Sequence, residues 1–154
     1  MIQLRRLIAA SFLLSVVGIV IGSYLIWVHY DIDALVCGTG GCEAVQLSEY
    51  ATVRDIPVAI FGTAMYVTML LLAMGRMIFP ASQLPLSALG LAITIAAFAY
   101  SAWLTWLELF EIDAICQWCV GSAIVTTLLF AIEILVFRAL WLAMGDDVVV
   151  ISPE

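Results

Sequence analysis

Leu7–Val28, LIAASFLLSVVGIVIGSYLIWV, is a run of 22 residues without a charge. A helix crossing the apolar core of a bilayer needs about 20 such residues, so this stretch alone points to a membrane span. Its apolar run exceeds the roughly 7–15 residues of a signal-peptide core, and no small-residue cleavage site follows it. It therefore reads as a retained span. Three further runs repeat the pattern: Ile56–Gly75, Met77–Leu107 and Ala114–Ile132, the last continuing past Glu133 to about Met144. Pro80 and Pro85 punctuate the start of the third run. Proline suits a first helical turn, where its missing N–H costs nothing, so that helix is expected to begin near Pro85. The expected spans are 7–28, 56–75, 85–107 and 114–144, with outer loops at about 29–55 and 108–113.

Composition excludes other classes. Of 154 residues 66% are hydrophobic and 11% charged, against about 45–50% and about 25% in soluble domains. A soluble globule of this length cannot hide that much apolar surface, and a disordered chain would be polar. Five basic residues, all arginine, against twelve acids give −7, which excludes nucleic-acid binding as a main role. The expected fold class is an all-α integral membrane four-helix bundle, one domain over 1–154.

Arg5, Arg6, Arg76 and Arg138 fall at the ends of spans that share one side, and only Arg54 falls on the other. The positive-inside rule then puts both termini in the cytoplasm. The outer loops carry eight acids and Arg54, so the net charge faces outward.

Glu133 is the one acid inside an expected span, about 28 Å along the helix from Ala114 at 1.5 Å per residue. That depth is near the inner interface and favours a snorkelling or Arg-paired side chain over a functional one. In the first outer loop, Glu43–Val53 reads as a short amphipathic half-helix with Ala44, Val45, Leu47 and Ala51 on its apolar side. Asp55-Ile56-Pro57 signals the start of the second span. His29, the only histidine, reads as an interfacial side chain, and Tyr24, Trp27, Tyr30, Trp103 and Trp106 as the outer aromatic belt. The tail 146–154 is expected to be short and frayed.

All four cysteines fall at the outer face, as two pairs. Cys37 and Cys42 bracket a glycine-rich loop segment, and Cys116-Gln117-Trp118-Cys119 opens the fourth span. At i and i+3 of a helix, two sulfurs share a face at disulfide-forming distance. The first of them feels the helix N-terminus, which favours the thiolate that attacks or leaves in exchange. A loop softened by glycines suits a mobile shuttle better than a staple. Two other readings stand beside this one. Two inert staples would each close a very short ring, which constrains the unfolded chain least. A soft-metal site has the right ligands, although a metal path would place cysteines deeper in the membrane.

Cys37-Gly-Thr-Gly-Gly-Cys42-Glu-Ala-Val, then Ser48-Glu-Tyr-Ala-Thr, Ile56-Pro57-Val-Ala-Ile-Phe-Gly62 and Ala114-Ile-Cys116-Gln-Trp-Cys119 together resemble a bacterial member of the vitamin K epoxide reductase family. The other quinone-coupled thiol oxidases, of the DsbB type, carry their Cys-x2-Cys in the first outer loop, the reverse of the order here. The resemblance covers nearly the whole chain. It implies a four-helix bundle holding a quinone, ubiquinone or menaquinone, beside Cys119. It also implies Cys116 and Cys119 as the quinone-facing pair, Cys37 and Cys42 as the shuttle pair, and Ser48 near the quinone. A hydroxyl that caps or turns the half-helix is the plainer reading of Ser48. Many bacterial relatives continue into a thioredoxin-like domain, whereas this chain stops after the fourth span. The expected partner is therefore a separate extracytoplasmic thioredoxin-fold (DsbA-like) protein. Vertebrate members carry a tyrosine where this chain has Ala123, which points away from epoxide reduction and toward a plain quinone acceptor. The expected function is a thiol oxidase of the bacterial cell membrane.

Overall fold

The computed structural model describes residues 2–150, with side chains for 2–144. Four long helices carry the fold: α1 (Ile2–Tyr30), α3 (Val58–Ile78), α4 (Gln83–Phe110) and α5 (Gln117–Val150). Between α1 and α3 come a 3-10 turn (Ile32–Ala34), α2 (Cys42–Gln46), a second 3-10 turn (Glu49–Ala51) and a hairpin of β1 (Thr52–Val53) with β2 (Ile56–Pro57). A third 3-10 turn, Pro80–Ser82, leads into α4, whose first turn holds Pro85. All four long helices are long and apolar enough to cross a membrane, as the sequence reading expects. This is a multi-pass membrane protein.

Side-chain size sorts inside from outside. Along α1 the buried positions include Ser11, Ser15, Gly18 and Gly22, while Leu13, Val17 and Val20 point outward. Lipid is as apolar as leucine, so there is no gain from turning large apolar groups inward. Close packing of small residues associates the helices instead. A Cβ at Gly18 would run into the Tyr66 ring of α3. α1 packs on α3 and α5, and α4 closes the bundle against α5 and α3.

The half of the bundle away from the cysteines is locked by a buried ion pair. Arg76 Nη2 lies 2.9 Å from Glu133 Oε2, and both side chains are fully buried. Ser11 donates its hydroxyl to Glu133 Oε1 at 3.0 Å, which joins α1, α3 and α5 through one carboxylate. Gly90 of α4 makes the room, since a Cβ there would approach Arg76 Nη2 to 2.7 Å. Of the two expectations for Glu133, the arginine pair is what forms; the carboxylate does not snorkel outward.

Four readings need correction. The half-helix expected over Glu43–Val53 is only α2, Cys42–Gln46, because Ser48 is extended (φ −68°, ψ 155°) and breaks it. Its buried face is Cys42, Val45 and Gln46, while Leu47 is exposed. The rest becomes the hairpin, whose two turn residues, Arg54 and Asp55, both have positive φ. That is the backbone a two-residue hairpin turn requires, and it delays the helix start from Ile56 to Val58. The fourth span begins at Gln117 rather than Ala114, because α4 runs on to Phe110 and the chain reverses through Asp113, φ 52°. Tyr24, read with the aromatic belt, packs its ring on Trp118 at 4.6 Å and on Trp27 at 6.3 Å. Finally, α5 continues to Val150 where a frayed tail was expected from 146; positions 151–154 lie outside the described residues.

Candidate active site

The reversal between α4 and α5 sets the motif. Cys116 directly precedes α5, and its carbonyl accepts the Val120 N–H at 3.0 Å, so it sits at the helix N-cap. Its sulfur is fully buried, while Cys119, one turn along, is partly exposed. Both are free thiols. Two influences favour a Cys116 thiolate: hydrogen bonding from the Cys119 thiol, and the Cys119 and Trp118 backbone N–H groups of the helix start. Together these lower the Cys116 pKa from 9.0 to about 7, against the opposing pull of burial and of the Glu108 carboxylate. A helix N-terminus favours a thiolate for this reason.

Cys37 and Cys42 form a disulfide with Cα atoms 6.0 Å apart. Cys42 is fully buried and belongs to one apolar cluster with Cys116, Leu25, Val28 and Val45, against which Cys37 and Cys119 also pack. The two pairs thus share one cluster, built by two segments about 80 residues apart in sequence. Cys37 stays half-exposed at its edge.

The loop bearing this disulfide is docked rather than loose. The two residues between the motif cysteines hold it: Trp118 donates its indole N–H to the Val36 carbonyl at 2.8 Å, and Gln117 Oε1 accepts the Gly38 N–H at 3.0 Å. Thr39 donates its hydroxyl to the Ile115 carbonyl at 3.0 Å. Tyr24 accepts the Val36 N–H at 2.8 Å. Gly41 lies so close that a Cβ would stand 2.8 Å from the Ile115 backbone.

Cys119 opens on the other side into a cavity of about 430 Å³ between the helices. Its walls are mostly apolar, with Phe61, Met65, Ile93, Leu104 and Leu107, and carry a few polar groups. That size and lining are those of small-molecule sites. A flat apolar ring system with two carbonyls, as in a quinone, fits such walls. Ser48 lines the cavity, but its hydroxyl donates to the Val45 carbonyl at 2.8 Å. Tyr66 also lines it, with its hydroxyl on the Ser122 carbonyl at 2.9 Å and within 2.9 Å of Thr126 Oγ1. His29 stands against Tyr30, ring centres 5.4 Å apart.

Two site residues escaped the sequence reading. Glu108, expected in an outer loop, is in the last turn of α4, buried, and accepts the Cys116 N–H at 3.1 Å through Oε2. Its signal was a small and polar stripe at helical spacing: Ser87, Gly90, Thr94, Ala97, Ser101, Glu108. Tyr66 gave no signal apart from lying on an apolar helix.

With Cys37 and Cys42 joined, two of the four sulfurs remain as soft-metal ligands. No curated protein matches the chain. The sequence model of the vitamin K epoxide reductase family matches residues 9–134, across all four cysteines and from α1 into α5, and the chain belongs to that family.

Proposed function

We propose that this membrane oxidoreductase is a thiol oxidase that passes electrons from a thioredoxin-fold donor, through Cys37/Cys42 and then Cys116/Cys119, to a quinone in the cavity beside Cys119. The observation that carries the reading is the position of the motif pair: Cys116 shares a buried cluster with Cys42, and Cys119 faces the apolar cavity.

A donor thiolate attacks Cys37, the half-exposed member of its pair. The donor's second thiol then resolves the mixed disulfide, leaving the donor oxidised and Cys37/Cys42 reduced. Cys42 thiolate attacks Cys116 of a Cys116–Cys119 disulfide, and Cys119 leaves as thiolate. Cys37 then closes on Cys42 and releases Cys116. The resulting state, Cys37–Cys42 joined and Cys116/Cys119 free, is the one the structure holds. The quinone, when bound, supplies the two-electron acceptor. The chain supplies orientation, a cavity screened from water and a Cys116 ready as a thiolate. Ser48 stands in the cavity wall, where its hydroxyl oxygen turns α2 and borders the acceptor's site.

Arginine placement supports cytoplasmic termini and a periplasmic or extracellular site, as in a bacterial cell membrane. Oxidation outside the cytoplasm then makes disulfides where they persist. The test is anaerobic quinone reduction by purified protein with a reduced thioredoxin-fold donor. Reduction that requires all four cysteines is expected. A protein that reduces no quinone yet binds zinc or mercury stoichiometrically would instead be a metal handler.

A further inference from the structure

Glu108 connects the cysteine motif to the cavity. It is 6% exposed, its Oε2 takes the Cys116 N–H at 3.1 Å, and it lines the same cavity as Cys119. It is also the one carboxyl group among the described residues that line the cavity. Three of the other protic groups there are committed elsewhere. Tyr66 is held by Ser122 and Thr126, Ser48 by Val45, and Thr105 by the Ser101 carbonyl.

Reducing a quinone to a hydroquinone consumes two electrons and two protons. The electrons leave through Cys119, so one proton must travel from that sulfur to the acceptor's oxygen in a space screened from water. We propose that Glu108 carries it: the carboxyl takes the Cys119 proton as the sulfur is oxidised and delivers it to the quinone oxygen. The proposal rests on the thiol-to-quinone direction argued above. The dithiol loses two electrons and two protons and becomes the Cys116–Cys119 disulfide. The quinone gains both electrons, one proton by way of Glu108 and one drawn from the aqueous side to replace that released by Cys116. Glu108 ends each turnover in the state in which it began it.

A purely structural role is also open to Glu108, as the acceptor that holds the Cys116 N–H at the start of α5. Glu108→Gln separates the two, because an amide oxygen still accepts that N–H but the amide carries no proton. Quinone-reductase kcat is expected to fall roughly 10²- to 10⁴-fold, the range of general acid–base catalysis. KM for quinone is expected to change by less than about threefold, and exchange between the donor and Cys37–Cys42 to keep its wild-type rate. Glu108→Asp should recover part of the loss. An unchanged kcat in Glu108→Gln, or an equal loss in donor exchange, would overturn the proposal. Should the variant fail to fold, the wild-type protein decides. Its single-turnover quinone reduction by the reduced motif must run slower in D2O than in H2O, and a rate that is equal in both overturns the relay. Wild-type protein that reduces no quinone at all would defeat the oxidase reading beneath it, a result distinct from every outcome above.

Discussion

Trp118 donates its indole N–H to the Val36 carbonyl at 2.8 Å, so a residue inside the Cys116/Cys119 motif holds the loop that carries Cys37 and Cys42. The loop's approach to the motif is therefore set by the motif itself. Its glycines allow close contact here as much as freedom of movement: Gly41 lets the backbone lie against Ile115.

Trp118→Phe keeps the ring against Tyr24 and removes that one hydrogen bond. A lost hydrogen bond is worth about 0.5–1.5 kcal/mol net, or roughly 2- to 13-fold. Exchange between the two cysteine pairs should slow by that factor, while quinone reduction by a chemically reduced motif stays unchanged. Stopped-flow measurement of each half-reaction separates the two. Equal slowing of both would show that Trp118 acts on the cavity instead.

The Arg76–Glu133 pair is an interior charge pair at 2.9 Å with neither side chain exposed. Removing one partner leaves the other charge buried and alone, which costs about 3–5 kcal/mol. Glu133→Gln and Arg76→Met should each lower the unfolding midpoint sharply in detergent. The double replacement Arg76→Met with Glu133→Leu should recover most of that loss, because apolar residues can fill the space of a buried pair at little cost. A double variant as unstable as the sum of the singles would mean the two residues act independently.

How far the sequence could be read follows from what each signal depends on. Span number and the pairing of cysteines at one face depend on composition and spacing, and all four spans stand where charge-free runs lie. Helix ends depend on local capping. Glu108 was missed because charge counting assigns a glutamate to water, while Cys116 N–H gives it a partner that only folding supplies. The half-helix was overextended because Ala44, Leu47 and Ala51 fit helical spacing, yet Ser48 turns its hydroxyl onto the Val45 carbonyl and ends α2. Arg76 was legible only as a charge at a span end, and spacing alone did not name it as the arginine that Glu133, 57 residues on, would pair with.

Cys116 gives a pH signature. Its pKa, lowered to about 7 by the Cys119 hydrogen bond and held there against burial, makes it mostly thiolate above that pH and mostly thiol below it. Closing the Cys116–Cys119 disulfide needs the thiolate. Single-turnover reoxidation of the reduced motif should plateau above pH 7 and fall about tenfold per unit well below it. The same depression stabilises the reduced fold at pH above the ordinary thiol value, and that contribution fades as pH falls through 7. A flat rate from acid to neutral pH would place the controlling ionisation on another group.

Ser48 borders the cavity while donating to the Val45 carbonyl at 2.8 Å. Ser48→Ala removes a hydroxyl that both ends α2 and borders the acceptor. The lost Val45 bond is worth roughly 2- to 13-fold, and the apparent KM for quinone should rise by up to that factor as the turn at the cavity wall loosens, with donor exchange at Cys37 intact. Unaltered quinone kinetics with a lowered unfolding midpoint would assign the hydroxyl to the turn alone.

Cys42 and Cys116 are both fully buried in one cluster, and Cys119 faces the cavity on the other side of the motif. On the proposed route exchange runs through Cys42 and Cys116; Cys37 closes on Cys42 to complete it, and Cys119 is the thiol whose attack on Cys116 would reverse it. Cys119→Ala removes that thiol and leaves Cys116 with Cys42 as its nearest redox partner. Mild oxidation of this variant should trap a Cys42–Cys116 disulfide and leave Cys37 free. Non-reducing peptide mapping identifies the bond, and an alkylating reagent added before reduction should label Cys37, which is half-exposed. Cys37→Ala in the same background should raise the yield, because the competing Cys37–Cys42 ring can no longer close. A Cys37→Ala, Cys119→Ala protein in which Cys42 and Cys116 both stay free thiols under every oxidant would mean that the two pairs do not exchange. Electrons would then have to reach the motif directly from the donor, and burial of Cys116 argues against that route.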